Sequence, residues 1–329
     1  MKHLLLNPGP TNTTIKTKAA QWKGSDICHR TESFSKVLQS TKTRLLQRFG
    51  DLTFNAAVLG GSGTLAMEAM ITSLLPRAPI HIINAGTYGA RAIDICQSYN
   101  ISYIEITAQN LGSLMPDKEV KNLLFVENET TTGENFCPHK VASLFPAARL
   151  FIDATSAFGA SSYKDLFNRI GAVCFCGNKC LQSTPGVAVV IYNKNLPSYK
   201  RSFYSDLSRY SSYDIPFTLP TQSIYALNSA LVQKLNSAEI LNDRRDRLIA
   251  ALGKLNIKCV NKFPSNSIIG FQHPVLSYNQ LHLFLNRKKI TIYSGIPSID
   301  RSFRIATMSN LFDKKFNYLL KALNDSCLH

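Results

Sequence analysis

The sequence predicts an α/β fold, with a large domain on a mostly parallel sheet followed by a smaller α+β domain, on three observations. Short apolar runs alternate with stretches of helical periodicity between residues 34 and 192. These runs end in glycine or polar residues, which gathers the candidate functional groups at the carboxyl edge of a parallel sheet. After Tyr192 the texture changes: residues 201–222 are rich in Ser, Tyr and Pro, and a second strand and helix alternation follows. A chain of 329 residues with 45% apolar and 18% charged side chains can bury such a core.

Taken in order, residues 1–15 form an extended Pro-Gly-Pro segment whose Thr11, Asn12, Thr13 and Thr14 can cap a helix. Helical periodicity runs over 34–49. A strand over 55–59, the turn Gly60-Gly61-Ser62-Gly63-Thr64 and a helix over 65–75 come next. The pattern repeats with a strand at 81–84, the turn Gly86-Thr87-Tyr88-Gly89, a helix to about residue 99 and a strand at 102–106. Strands at 122–126 and 149–152 end in Glu129-Thr130-Thr131-Thr132-Gly133 and Asp153-Ala154-Thr155-Ser156. The apolar runs 172–175 and 187–192 flank Cys176-Gly177-Asn178-Lys179-Cys180-Leu181-Gln182. Residues 201–222 read as a long ordered loop and 223–255 as one helical stretch. Strands at 267–271, 291–293 and 303–306, with helices at 276–286 and 311–323, make the second unit. The domain limits are 1–15 for the N-terminal segment, 16–230 for the large domain and 231–329 for the small one.

Composition narrows the function classes. The formal charge of +16, from 37 basic and 21 acidic residues, is dispersed, with no basic tail and no aromatic-interleaved basic motif. It is expected to draw anionic small molecules rather than nucleic acid. The eight cysteines are scattered and several lie in apolar runs, as reduced thiols do in a reducing compartment. Cys174, Cys176 and Cys180 lack the paired C-x2-C halves of a zinc site, so no metal is expected. Three leucines before Pro8-Gly9-Pro10 are too few for a signal peptide or a membrane span, and a cytoplasmic location is expected.

The chemistry-bearing groups are then few. Lys179 stands at a turn between two buried strands, where an amine is either solvated or used covalently. Gly61-Ser62-Gly63-Thr64 opens a helix and is either a tight turn or an anion cradle, since free N–H groups and the helix dipole attract phosphate there. No lysine follows its last glycine, which excludes a Walker loop. Asp153 either caps a helix or holds a protonated ring nitrogen. Tyr88 is core or stacks on a planar ligand. Arg304, in a strand of the small domain, is a surface residue or a fork for a carboxylate or phosphonate. Together they make a phosphate cradle, a ring-nitrogen carboxylate, a Schiff-base lysine and an anion-binding arginine.

The ordered motifs Leu4 to Thr11, Gly61-Ser62-Gly63-Thr64 with Glu68, Asn84 to Arg91, Glu129-Thr130-Thr131-Thr132-Gly133, Asp153-Ala154-Thr155-Ser156, Asn178 to Gln182 and Phe303-Arg304-Ile305 resemble the class V aminotransferases. Within that class they are most similar to the 2-aminoethylphosphonate:pyruvate transaminases. The resemblance implies a fold-type-I homodimer that uses pyridoxal 5'-phosphate, with a mostly parallel seven-stranded sheet flanked by helices in the large domain. It implies that Lys179 carries the cofactor and that Asp153 pairs with its pyridine nitrogen. Ser62, Gly63 and Thr64 would hold the phosphate, joined by Asn178 and by Thr218 from the neighbouring subunit. Tyr88 would stack on the ring, Thr131 would meet its phenolic oxygen, and Arg304, with Arg30 in addition, would bind the substrate anion. The alternatives are a class V enzyme for another small donor, of the alanine or serine:glyoxylate type, and a non-catalytic basic protein of the same fold that binds nucleic acid.

Overall fold

A computed structural model describes residues 2–108, 116–213, 215–233 and 236–328. The chain starts with β1 (Leu4–Leu5) and two helices, α1 (Ile15–Lys23) and α2 (Glu32–Phe49). Alternation follows through β2 (Asn55–Gly60), α3 (Gly63–Leu74), β3 (Ile80–Asn84), α4 (Thr87–Ser98), β4 (Tyr103–Thr107) and β5 (Asn122–Val126). A short pair, β6 (Asn128–Glu129) and β7 (Glu134–Asn135), precedes α5 (Pro138–Leu144) and β8 (Arg149–Asp153), and then come β9 (Ile170–Cys176) and β10 (Val187–Tyr192). Helices α6 (Leu207–Ser212), α7 (Thr221–Gln233) and α8 (Ala238–Gly253) lead to β11 (Lys258–Cys259) and β12 (Ile268–Gln272). The remaining elements are α9 (Tyr278–Arg287), β13 (Ile290–Thr291), β14 (Tyr293–Ser294), β15 (Ser302–Ala306) and α10 (Phe312–Ser326).

The large sheet has seven strands in the order β2-β10-β9-β8-β5-β3-β4. The pairings β3 with β4 and β5, β5 with β8, and β8 with β9 are parallel, while β10 runs antiparallel to both β2 and β9. Every residue of β9 and β10 is buried, which is why both read as unbroken apolar runs rather than as alternating strands. Alternate side chains feed two cores. On one face Phe125, Ile152, Phe175 and Val189 pack with Leu38, Leu45 and Leu227 of α2 and α7. On the other, Leu124, Phe151, Cys174 and Val190 pack with Met67, Met70 and Ile95 of α3 and α4.

The small sheet is antiparallel, β11-β12-β15-β14, and β1 adds to β13 in parallel beside it. The N-terminal segment therefore belongs spatially to the C-terminal unit. Leu4 and Leu6 are fully buried with Phe271, Ile290 and Phe303, and the Leu6 N–H donates to Thr291 O at 2.8 Å.

Three expectations change. Residues 201–222 are not all loop, because Asp206 caps the short helix α6 by accepting the Ser208 N–H at 3.0 Å. The helical stretch expected over 223–255 is two helices, of which residues 234 and 235 lie outside the described residues. Ser237 caps the second, and the buried Asn236 spends its amide on Cys180 O and Met308 O. The strand expected at 291–293 is two, since β13 pairs with β1 and β14 with β15.

Candidate active site

A cleft of about 330 Å³ opens at the carboxyl edge of the large sheet, lined by Gly61 to Thr64, Met67, Tyr88, Arg91, Asp153, Thr155, Cys176, Asn178, Lys179 and Pro185-Gly186. Its position follows from the topology. The loops after β2, β3, β8 and β9 all leave the same edge, so residues far apart in sequence converge there.

The floor is set by strand alternation. Asp153 faces the α3 side with Phe151, and its register partner on β9 is Cys174. Only 2% of Asp153 is exposed. It accepts the Thr155 N–H at 2.9 Å. Burial pushes its carboxyl above the ordinary aspartate range, while the Thr155 hydrogen bonds and the Lys179 ammonium pull it back. Among the described residues no cation stands within salt-bridge distance of it. It is a buried acid that gains from a cationic partner in the cleft.

The rim is set by a helix start. Ser62 is the N-cap of α3, yet its hydroxyl makes no capping bond and the first turn carries no acidic residue. Unspent N–H groups, a free hydroxyl and the positive end of the helix thus face the cleft, which is the local chemistry of a phosphate site. Gly63 must be glycine: a Cβ there would stand 2.9 Å from the Thr155 side chain.

Lys179 rises opposite, its stem packed by the N-terminal segment. Gly9 has φ of 131°, and a Cβ on it would lie 3.2 Å from Lys179 Cγ. The Pro8-Gly9-Pro10 turn is therefore part of the site, a role that sequence reasoning missed; its signal was the glycine between two prolines at a position needing a left-handed backbone.

Tyr88 sits in the first turn of α4. The helix is capped from another strand: Glu129, fully buried, accepts the Tyr88 and Gly89 N–H groups at 3.0 and 3.2 Å. Thr131 accepts the Thr87 N–H at 3.1 Å, and its own hydroxyl donates to Glu129. Glu129 was not singled out from the sequence as a functional residue. It positions the aromatic ring.

The expected residues do not all meet in the cleft. Ser62, Gly63, Thr64, Tyr88, Asp153, Asn178 and Lys179 line it; Thr131, Arg304, Thr218 and Arg30 do not. Thr131 stands beside it at the start of α4. Arg304, 4% exposed, lies against the Glu129–Thr131 loop: its guanidinium donates to Thr130 O and, through Nε, to Ser294 O at 2.5 Å, with the Tyr293 ring 5.0 Å away. Burial draws the Arg304 guanidinium below the ordinary arginine value, and the nearby Tyr293, Tyr88 and Glu129 oppose that. Thr218 and Arg30 are exposed. Arg91, unassigned from the sequence, does line the cleft.

No protein-family model matches the chain. Solved structures share the fold over its whole length: an aspartate aminotransferase of subgroup IV from Thermus thermophilus (TM-score 0.87, 19% identity, 98% of this chain and 99% of that one), and ureidoglycine-glyoxylate aminotransferase from Bacillus subtilis (TM-score 0.85, 18% identity, 100% and 93%). The chain thus has the fold of these aminotransferases, with its cleft at the carboxyl edge of the large sheet.

Among curated proteins, the chain is similar to the 2-aminoethylphosphonate--pyruvate transaminase of Klebsiella pneumoniae subsp. pneumoniae, at 27% identity over 98% of this chain and 97% of the relative. It also resembles the bifunctional phosphonoacetaldehyde hydrolase/aminoethylphosphonate transaminase of Clostridioides difficile, at 28% identity over 94% of this chain and 54% of that protein. Both likenesses run over nearly the whole of this chain.

The cofactor fits the residues present. An unpaired buried carboxylate at Asp153 suits a protonated pyridine nitrogen, the uncapped start of α3 suits a phosphate, and Lys179 reaches the same cleft. Among the described residues no helix is long and apolar enough to cross a membrane.

Proposed function

We propose that this chain transfers the amino group of 2-aminoethylphosphonate to pyruvate, giving phosphonoacetaldehyde and alanine. The observation that carries the proposal is the convergence of Lys179, Asp153 and the free N terminus of α3 on one cleft, in a chain alike over nearly its full length to transaminases of that name.

Bound here, pyridoxal 5'-phosphate supplies an electrophilic carbon and a sink for electrons. Lys179 Nζ would hold the cofactor covalently and, once free, would be the base that takes a proton from the donor carbon. The Asp153 carboxylate keeps a proton on the ring nitrogen. Ser62, Gly63, Thr64 and Asn178 hold the phosphate, Tyr88 packs on the ring, and Thr131 stands by the phenolic oxygen. Arg304 binds the phosphonate of the donor and then the carboxylate of the acceptor, both of which suit a planar guanidinium. Arg30 is a second anion ligand.

Thr218, exposed and outside its own cleft, reaches the phosphate of a second copy of the chain, so the working unit is a homodimer. Eight free cysteines suit work in a reducing cytoplasm.

The test is a panel of amines given to cofactor-loaded protein in single half-reactions, scored by conversion to the pyridoxamine form. 2-Aminoethylphosphonate should convert it fastest. Conversion by alanine or serine with none by 2-aminoethylphosphonate would reject the donor. Lys179→Ala should abolish the yellow Schiff-base absorbance, and an unchanged spectrum would reject that lysine.

A further inference from the structure

We infer that Arg91 is a ligand of the cofactor's phosphate and sets the direction of the Thr64 hydroxyl. This rests on the pyridoxal-phosphate reading given above. Arg91 lies in α4 and lines the cleft with Gly61 to Thr64, Asp153 and Lys179. Its Nη1 donates to Thr64 Oγ1 at 3.1 Å, and its guanidinium carbon sits 4.7 Å from the centre of the Tyr88 ring.

The Arg91 charge has no ion-pair partner among the described residues. Arg91 stands near the N terminus of its own helix and touches the first turn of α3, and the positive end of a helix disfavours a cation. Neither helix carries an acidic residue in its first turn. At the start of α4 the Glu129 carboxylate answers the helix N–H groups, but the start of α3, which Arg91 touches through Thr64, has no acidic residue of its own.

The hydrogen bonding points the same way. A guanidinium can only donate, so the Thr64 oxygen accepts from Arg91 and its own hydrogen is left to donate elsewhere. The Ser62 hydroxyl is also uncommitted to its helix. A phosphate dianion accepts from both hydroxyls, from the free N–H groups and from the guanidinium fork, and neutralises the excess charge.

The test titrates full-length wild type, Arg91→Met and Arg91→Lys with pyridoxal 5'-phosphate and with pyridoxal, which lacks the phosphate, following the absorbance of the lysine Schiff base. Losing a charge-assisted hydrogen bond to phosphate should weaken pyridoxal 5'-phosphate binding roughly ten- to a hundred-fold in Arg91→Met. Arg91→Lys should recover part of the loss, and pyridoxal affinity should stay within about two-fold, because Met keeps packing area on Tyr88. Equal weakening for both ligands would mean that Arg91 acts only through the Tyr88 ring, and would overturn the inference. So would unchanged pyridoxal 5'-phosphate binding in Arg91→Met. Failure of the wild type to bind either ligand would instead remove the cofactor reading on which both rest.

Discussion

Gly9 shows how a single backbone conformation reaches Lys179 in the cleft. Its φ of 131° is a region that side-chain-bearing residues rarely adopt, and a Cβ would stand 3.2 and 3.3 Å from Lys179 Cγ and Cδ. Gly9→Ala should cost about 1 kcal/mol or more in stability and should slow Schiff-base formation with pyridoxal 5'-phosphate by shifting the lysine stem; stopped-flow absorbance reads the rate, and an unchanged rate would separate Gly9 from the site. Glu127 is a second residue with a measurable signature. Fully buried and accepting the Tyr163 hydroxyl at 2.7 Å, it is pushed by burial up to about 7 from 4.5. The folded protein therefore keeps a proton that the unfolded chain releases above about 4.5. The resulting stability is complete below that pH and is lost as the pH rises toward about 7. Asp153 shifts in the same direction and stays in place in a Glu127→Gln variant, so the difference between variant and wild type isolates Glu127. That difference should move in the variant's favour by on the order of 3 kcal/mol across the window, as read from urea unfolding; a constant difference would show that Glu127 does not titrate there.

At the scale of an element, the start of α4 depends on a carboxylate from elsewhere in the chain. Its N-cap is Gly86, which has no side chain to accept an N–H, and Glu129 supplies the acceptors for Tyr88, Gly89 and Thr131. The carboxylate sits at the positive end of the helix, where its charge is favoured. Glu129→Ala would leave three N–H groups without an acceptor and should lower stability by roughly 2–4 kcal/mol, with Glu129→Gln recovering part of it; thermal unfolding measures both, and a loss below about 0.5 kcal/mol in the alanine variant would show that water replaces the cap. The sequence displayed both halves of this contact, Gly86-Thr87-Tyr88-Gly89 and Glu129-Thr130-Thr131, as turn motifs. That they join could not be read from it, because Gly89 and Glu129 are 40 positions apart, and a cap from a distant segment leaves no local spacing of the kind a Ser-x-x-Glu box does. α3 is the converse case: Gly61-Ser62-Gly63-Thr64 was legible as a turn opening a helix because all of its parts are consecutive.

Over the whole molecule, the first ten residues link the strands around the small sheet to Lys179. β1 pairs with β13, the Ala306 N–H donates to Leu6 O at 2.7 Å, and three residues later Gly9 lies on Lys179. Leu6→Ala should cost about 2–5 kcal/mol by opening a cavity among Phe271, Ile290 and Phe303; the urea midpoint checks it, and a shift worth less than about 1 kcal/mol would place Leu6 outside the core. The sequence by itself determined the strand and helix alternation and pointed to the carboxyl edge and to Lys179, Asp153 and residues 61–64, which line one cleft there. Those features are written in local periodicity and in residue types whose chemistry is unusual where they stand. Only the tertiary structure decided that the N terminus belongs with residues 290–306, that α7 and α8 are separate helices, that Arg304 lies beside the cleft rather than lining it, and that Arg91 lines it. Each of these is set by a contact between segments distant in sequence, for which no short-range pattern is required.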